Sequence, residues 1–286
     1  MTLPVGYSPI PGGTFTPHGA GAQVTVAPFG MARTPVTNAQ YGALSQSLGE
    51  DRFVLLEHDF ESGATSLVRR SATAEAPASD PAYTPEWHAF DKGDALIFGS
   101  QILLKMVDNP SAQFDEAIRL FSGSTHPALG LSYFHAKAWC LLKSLEDGGA
   151  YHYDLPTDVQ YEYVASNRGT QEYGTETGTL HADGRKLAHI DEYNYGEGTT
   201  VTVDDPRYEQ RLPLDVQTTG NVWRWIQMNP AFKQDGDFSY GLRGGAFNFG
   251  PDYGRAAFRN HGARPSDRGR YVGFSPVVVP QDSGAV

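Results

Sequence analysis

Few side chains of this chain are grouped in the way that reactive residues usually are. Cys140 is the only cysteine among 286 residues, so neither an internal disulfide bond nor a cysteine-based zinc site can form. It follows Trp139 on a predicted core helix, where we expect a buried, unreactive thiol. The sequence contains no G-x-S-x-G elbow, no P-loop and no H-E-x-x-H helix. We therefore expect no catalytic residue and no cofactor.

The nine histidines are scattered, and two stretches that combine them with acidic residues are considered as candidate sites. Residues 57–59 read Glu-His-Asp, which we interpret as a surface charge cluster. A polar stretch further on carries two histidines and two aspartates: His181, Asp183, His189 and Asp191. Their spacing matches no known metal motif, so we predict a solvated loop there and no metal site.

The composition favours one large domain spanning residues 1–286. With 40% hydrophobic and 12% aromatic residues, the chain can bury a sizeable core. Its formal charge of -11 disfavours binding to phosphate backbones, so we do not expect a nucleic acid partner. No basic segment followed by an apolar one opens the chain, and no apolar run reaches membrane-spanning length. We expect neither standard secretion nor membrane insertion, and place the protein in the cytoplasm or on a virion.

Local patterns predict several elements of secondary structure. Residues 12–28 have the alternation and the glycine-rich turn of a β-hairpin. Thr37 with Gln40, and Thr157 with Gln160, have the spacing of capping boxes that begin helices. A core helix should follow Ser132 and end at two glycines, because apolar residues recur there at helical spacing. These apolar residues are Phe134, Ala138, Leu141, Leu142 and Leu145.

Residues 49–125 read as an insertion with extra helices. Residues 71–84 are rich in Ala, Ser and Pro and suit a connector. Within the insertion, the spacing of apolar residues predicts helices over 94–107 and 113–121. At the other end of the chain, the apolar run 277–279 predicts a closing strand.

Five motifs, in this order, span residues 34–274. They are Thr34 to Tyr41; His126-Pro127 with Ser132 to Ala136; Leu155 to Tyr163; Gly220 to Trp225; and Arg243 to Phe247, continued by Arg255 to Arg259 and Val272 to Phe274. Together they resemble the formylglycine-generating enzyme (sulfatase-modifying factor) family. The resemblance implies an α+β fold of the C-type lectin type, with little regular secondary structure, small antiparallel sheets and two main helices. It also implies that Trp223 is buried and that Arg255 and Arg259 satisfy buried carbonyls or carboxylates.

The resemblance fails at the residues that hold the family's metals. Family oxidases carry two copper-binding cysteines after the Arg-Gly-Gly motif, and Phe249 and Gly254 stand at those positions here. Neither can supply a thiolate to copper. The family's calcium site uses backbone carbonyls and a glutamate between the two tryptophans, and Arg224 stands there. We expect its guanidinium to fill the space of the cation.

A non-catalytic branch similar to this family consists of the variable proteins of diversity-generating retroelements. Their last segment has an Arg-Gly-Gly motif, an Arg-x-Ala-x-Arg-like motif, a terminal Gly-Phe and diversified positions between them. Residues 243–274 follow this layout, so we interpret them as a variable ligand-binding segment. The layout assigns ten positions to ligand binding: Asn248, Phe249, Gly250, Asp252, Tyr253, Phe258, Asn260, His261, Asp267 and Tyr271.

The residue types in this segment agree with that interpretation. Randomising the adenines of an asparagine codon cannot produce Glu, Lys, Gln, Met or Trp, and residues 246–271 contain none of these. We therefore predict a non-catalytic, receptor-like or adhesin-like variable protein whose ligand is a protein or a cell-surface molecule. The alternatives are a formylglycine-generating oxidoreductase acting on a protein cysteine, and a purely structural subunit. Exposure of residues 248–261 would separate the last of these from a binding protein.

Overall fold

The computed structural model describes residues 2–49, 52–70, 95–114, 121–191, 198–208, 214–229 and 240–281. In these ranges the helices are α1 (Asn38–Gln46), α2 (Tyr133–Glu146) and α3 (Asp158–Ala165). The strands are β1 (Tyr7–Ile10), β2 (Gly13–Phe15), β3 (Val24–Val26), β4 (Phe29–Ala32), β5 (Phe53–His58), β6 (Thr65–Arg70), β7 (Ala95–Phe98), β8 (Gln101–Lys105), β9 (Tyr151–Asp154), β10 (His181–Ala182), β11 (Arg185–Lys186), β12 (Trp223–Trp225), β13 (Tyr240–Arg243), β14 (Asn260–Ala263), β15 (Val272–Gly273) and β16 (Val277–Pro280). Short 3-10 helices cover Pro110–Phe114 and Pro251–Gly254.

The first sheet joins the two ends of the described chain. Its strand order is β1-β4-β16-β9, and all three pairings are antiparallel. Val278 of β16 lies opposite Gly30 on one side and Tyr153 on the other, so the last strand is an inner strand of the sheet. The predicted closing strand is confirmed, and so is the hairpin, in which β2 pairs with β3.

The second sheet supports the closing part of the chain. Its order is β14-β13-β12-β15, with β12 and β15 parallel and the other pairs antiparallel. Trp223 and Trp225 on β12 are fully buried, as predicted. The indole Nε1 of Trp225 donates to the Leu131 carbonyl at 3.0 Å, which ties this sheet to the loop before α2.

The third sheet corrects the prediction of a helix over 94–107. The segment instead forms β7 and β8, two antiparallel strands joined by a turn at Gly99 and Ser100, in a sheet of order β6-β5-β8-β7. Ile102, Leu103 and Leu104 are all buried, because β8 is covered on both faces. A strand buried on both faces has no alternation of polar and apolar residues and cannot be told from a helix by period alone.

The second predicted helix of the insertion, over 113–121, is only partly within the described residues. The 3-10 helix ends at Phe114, and residues 115–120 lie outside the described part. Contacts between β6 and α2 and between β8 and α2 join the third sheet to the rest of the protein. That residues 49–125 are an insertion within a single domain over 1–286 remains a prediction.

The helices begin where the capping patterns predicted. The Thr37 and Thr157 hydroxyls each accept from the N3 amide, and the N3 glutamine side chain accepts in return from the cap amide. Ser132 caps α2, whose inner face is buried, and Gly148 and Gly149 follow it with positive φ. Leu145 was predicted to belong to the apolar core face of α2. It lies in the last turn of the helix, and its side chain is 51% exposed.

The core also contains His58, which corrects the surface interpretation of residues 57–59. His58 ends β5 with its side chain pointing inward, while the neighbouring Glu57 is exposed, as expected when alternate residues face opposite sides of a strand. Its ring lies between the Thr65 and Tyr240 hydroxyls, at 2.8 Å from each. Burial lowers the pKa of His58 to about 4.

In the described residues, none of the helices combines the length and hydrophobicity needed to cross a bilayer.

Candidate functional site

The segment 243–274, which we call the closing segment, begins with a tight turn at Gly244 and Gly245. Both residues have positive φ, which favours glycine. A Cβ on Gly245 would lie 3.1 Å from the backbone of Tyr253 and Gly254, so the turn lets residues 253–254 pack directly against it. The chain then forms the 3-10 helix Pro251–Gly254, with a proline at its first position. This places Asp252 and Tyr253 at the surface.

Four aromatic residues of the closing segment form one continuous cluster, which we call the aromatic patch: Phe249, Tyr253, Phe258 and Tyr271. Phe249 contacts both tyrosines, with ring centroids 5.4 Å from Tyr253 and 5.3 Å from Tyr271. Tyr253 contacts Phe258 at 5.0 Å. Three of the four also pack on Trp223, at 5.4 to 6.2 Å. The buried indole is therefore a common floor beneath partly exposed rings.

The predicted ligand-binding positions differ in exposure, but none with a described side chain is fully buried. Tyr253 is 41% exposed, and Asp252 and Asp267 are also exposed. The remaining positions are half-buried: Asn248, Phe249, Gly250, Phe258, Asn260 and Tyr271. The side chain of His261 lies outside the described part, although its backbone pairs with Gly241 in β14.

The polar positions of the closing segment differ in the hydrogen bonds and backbone contacts that they make. Asn248 precedes Phe249 directly, and its Oδ1 atom is buried with no hydrogen-bond donor in the part of the chain that the structure describes. Asn260 begins β14 opposite Leu242. Asp267 lies between β14 and β15, where its carboxylate accepts from the Arg264 amide at 2.7 Å.

A buried network of charges holds the closing segment on α3. Arg243 and Arg259 both contact Asp158 and Glu162, two acidic residues on one face of α3. Arg243 is fully buried and also donates to the backbone carbonyls of residues 256, 257 and 258. Two cations thus meet two anions, which is the pairing that buried charges need. The prediction that Arg259 satisfies buried carboxylates is confirmed.

The same prediction was wrong for Arg255. Its side chain is 47% exposed and pairs with Asp252 and Glu172, which are themselves exposed. The reason is position, because Arg255 directly follows the 3-10 helix at the surface, whereas the chain turns inward at Ala256. Arg243, which the motif contained but the prediction passed over, has the buried role instead.

Arg224 lies fully buried beside the floor of the aromatic patch. Its Nη1 atom donates to three backbone carbonyls, those of Thr218 at 3.2 Å, Gly220 at 3.1 Å and Val222 at 2.7 Å. A positive charge among carbonyl oxygens is the arrangement expected if the guanidinium takes the place of a cation. The residue types present do not fit a calcium site, since Arg224 supplies no anionic ligand.

The two positions that correspond to copper ligands in family oxidases are occupied by groups that cannot bind copper. Phe249 packs its ring on Trp223, and Gly254 is buried, with the Ile190 side chain 2.6 Å from where its Cβ would be. Cys140 is buried in α2, and burial raises the pKa of its thiol well above the ordinary value. The donor atoms at these positions therefore do not fit a copper centre.

The polar stretch around His189 is less solvated than predicted. His189 and Asp191 are buried, and the ring Nε2 of His189 lies 2.9 Å from the Thr199 carbonyl. His181 is exposed on β10. In the described ranges, no group of three or more His, Cys, Asp or Glu residues could hold a metal ion. Hydrogen bonds to other segments also hold this stretch, since the Asp191 amide donates to the Phe249 carbonyl at 3.0 Å and the Asn221 amide donates to the His189 carbonyl at 2.7 Å.

Comparisons with known proteins agree with this architecture. Residues 6–278 match the family described as the sulfatase-modifying factor enzyme 1-like domain. Similar solved structures include PvdO from Pseudomonas aeruginosa, with 18% identity, a TM-score of 0.57 and coverage of 94% of this chain and 92% of that chain. CarF has 18% identity, a TM-score of 0.59 and coverage of 98% and 100%. Treponema denticola variable protein 1 has 14% identity, a TM-score of 0.54 and coverage of 95% and 94%.

At these identities the structural likenesses show the fold, and no curated protein matches the sequence significantly. The α+β fold of the C-type lectin type, expected from the motifs, is confirmed. Because the family match covers nearly the whole chain, the protein belongs to the sulfatase-modifying factor enzyme 1-like domain family.

Proposed function

We propose that this protein is a non-catalytic ligand-binding protein of the kind diversified by a retroelement, and that the aromatic patch and its polar neighbours bind the ligand. The observation that carries the proposal is the division of the closing segment into two classes of residue. Phe249, Tyr253, Phe258 and Tyr271 form one partly exposed cluster. Arg243 and Arg259, from the same segment, are held in the buried charge network.

This division suits a scaffold that must tolerate change at one face. The backbone of the closing segment is anchored to α3 by two arginines of the family motifs. These are Arg243 of Arg-Gly-Gly and Arg259, the second arginine of Arg-Ala-Ala-Phe-Arg. The positions assigned to diversification lie around them and leave part of each described side chain at the surface. Tyr, Phe, Asn and Asp in such places combine rigid aromatic contacts with adaptable hydrogen bonding, as antibody loops do. The likeness to a solved variable protein supports the proposal at the level of fold.

The ligand that suits this face is a protein or another cell-surface molecule. A cluster of rings with one side exposed offers apolar contact area, and the acidic group of Asp252 beside it offers a charged rim. Tyr253, as the most exposed ring, is the residue we expect to act as a binding hot spot, worth about 2 kcal/mol or more.

One test reads the origin of the diversity directly from DNA. We expect a near-repeat of the codons for 243–274 close to the gene, differing from it at adenines, and substitutions among independent isolates confined to the ten assigned positions. Substitutions spread evenly over scaffold positions such as Arg243 and Arg259 would contradict the proposal.

A second test concerns binding. The protein would be screened on an array of cell-surface protein ectodomains, and each hit repeated with Tyr253→Ala. Leu145→Ala is the matched control, because it removes an exposed apolar side chain of similar exposure from α2. We expect Tyr253→Ala to weaken binding at least tenfold and Leu145→Ala to leave it unchanged. Equal effects would show that the patch is not the binding surface.

The competing function is a formylglycine-generating oxidoreductase that acts on a protein cysteine. The chain lacks thiolates at positions 249 and 254, so we expect no stoichiometric Cu(I) binding. A competition titration with a chromophoric Cu(I) chelator measures this. Tight stoichiometric binding, together with turnover of a cysteine-containing peptide, would favour the enzyme.

A further inference from the structure

The guanidinium of Arg224 is the starting point, because its charge is buried without a carboxylate. Arg224 is 0% exposed, and in the described part of the protein it forms no salt bridge. An arginine stays protonated in proteins, so the positive charge must be stabilised where it lies. Three backbone carbonyls contact Nη1, but they are dipoles and do not neutralise the charge.

The neighbouring charges make this imbalance larger. Arg224 lies directly opposite Arg243 in the register of β12 and β13, and the two side chains of such a pair lie on the same face of the sheet. Arg243 and Arg259 are balanced by Asp158 and Glu162. The buried group therefore contains three guanidinium groups and two carboxylates, with the excess positive charge on Arg224.

Arg224 also has hydrogen-bonding capacity that the protein does not use. Its Nε and Nη2 atoms are buried and have no acceptor among the described residues, whereas Nη1 has three. Leaving a buried, charged donor unpaired is costly, and such a group calls for an ion or a water as its partner. Nε and Nη2 belong to one planar group and can hold a single acceptor between them.

A small cavity of about 20 Å³ is lined by Arg224. Its other polar lining residues are His189, Thr202, Tyr208, Gln217, Thr219 and Asn221. The volume exceeds what one water needs but is far below what a sulfate or phosphate group would occupy. Asp205, an acidic residue that interacts electrostatically with His189, is already paired with Arg207, whose guanidinium contacts its carboxylate through two nitrogens. The cavity is thus suited to a small ion of negative charge.

We propose that this cavity binds a small monovalent inorganic anion, such as chloride, on Nε and Nη2 of Arg224. The anion completes the charge balance of the buried group, with three cations facing two carboxylates and one bound anion. Trp223 and Arg224 are neighbours on β12, and successive side chains of a strand face opposite sides of the sheet, so we place the anion on the face opposite the Trp223 floor of the aromatic patch. Arg224 would then be held by carbonyls on one nitrogen and by the anion on the other two.

Bromide provides a direct test with the unmodified protein. Crystals grown or soaked in sodium bromide would be measured at the bromine absorption edge. We expect an anomalous peak within hydrogen-bonding distance of Nε or Nη2 of Arg224. A water at that place with no anomalous signal, at a bromide concentration that labels other sites, would overturn the proposal.

Thermal melting provides the solution test. The midpoint Tm would be compared in sodium chloride and sodium gluconate at equal ionic strength. Binding to the folded state alone predicts a rise in Tm that grows with the logarithm of the chloride concentration above its Kd and reaches about 5 °C at a hundred times the Kd. Arg255→Gln, which removes an exposed arginine, should keep the rise, and Arg224→Gln should abolish it. Equal Tm values in the two salts would contradict the proposal, and the bromide experiment decides the matter if Arg224→Gln does not fold.

Discussion

Replacing Arg259 with glutamine should destabilise the protein far more than the same change at Arg255. The two arginines belong to one short motif, Arg-Ala-Ala-Phe-Arg, and have the same side chain. Their environments differ: Arg259 is 18% exposed and contacts two buried carboxylates, while Arg255 is 47% exposed and contacts two exposed ones. Each substitution is therefore the matched control for the other.

The expected magnitudes follow from these environments. Among the described residues, removing Arg259 leaves Asp158 and Glu162 with Arg243 as their one remaining guanidinium partner, and breaking a buried pair in this way typically costs about 3 to 5 kcal/mol. Removing Arg255 breaks surface ion pairs, which contribute at most about 1 kcal/mol. For a chain of this size the difference corresponds to a shift in Tm of roughly 3 to 8 °C.

Urea unfolding followed by tryptophan fluorescence would measure both free energies, with Trp223 and Trp225 in the core as reporters. The slope of the free energy with urea should be the same for both variants, which would show that only stability has changed. Equal losses at the two positions, or a larger loss for Arg255→Gln, would refute the assignment of scaffold and surface roles within the closing segment.

Three further predictions concern the core. Trp223→Ala should cost about 3 to 5 kcal/mol in urea unfolding, because it removes the buried floor of the aromatic patch; a loss below about 1 kcal/mol would contradict this. Burial lowers the pKa values of His58 and His135 to about 4 and about 3, so both histidines bind protons in the unfolded state before they do so in the folded state. The free energy of unfolding should therefore fall as the pH drops below about 6.5, by up to about 1.4 kcal/mol per pH unit for each histidine. His58→Asn should reduce that slope in melts between pH 7 and pH 5. Cys140 should react with a chromogenic disulfide reagent only on unfolding, and fast labelling of the native protein would show that α2 is not packed as described.

Patterns that depend on neighbouring residues were predictable from the sequence. The caps at Thr37 and Thr157 were correct because a capping box is formed by residues three apart. The hairpin of β2 and β3 and the strand β16 were correct because their apolar runs and turns are local. The family motifs added the fold, which local patterns alone would not have indicated.

Features set by distant contacts were not predictable in the same way. Strand β8 resembles a helix in sequence because both of its faces are covered by other elements. The burial of His58 depends on Tyr240, which is far away in the chain. Among the arginines, the sequence did not show whether Arg243, Arg255 or Arg259 would meet Asp158 and Glu162, since α3 lies outside the motif that contains them. A carboxylate pair at helical spacing, Asp158 and Glu162, was the available signal for that network.

The inner position of β16 in the first sheet has a consequence for synthesis of the protein. Val278 pairs with Gly30 and Tyr153 at once, so β4 and β9 are not bridged until the last described strand is available. On a ribosome, the whole closing segment leaves the exit tunnel before that strand does. A chain that stops within the closing segment would therefore expose the edges of β4 and β9 and be open to proteolysis. A frameshift or early stop within the closing segment would therefore leave the first sheet without its inner strand.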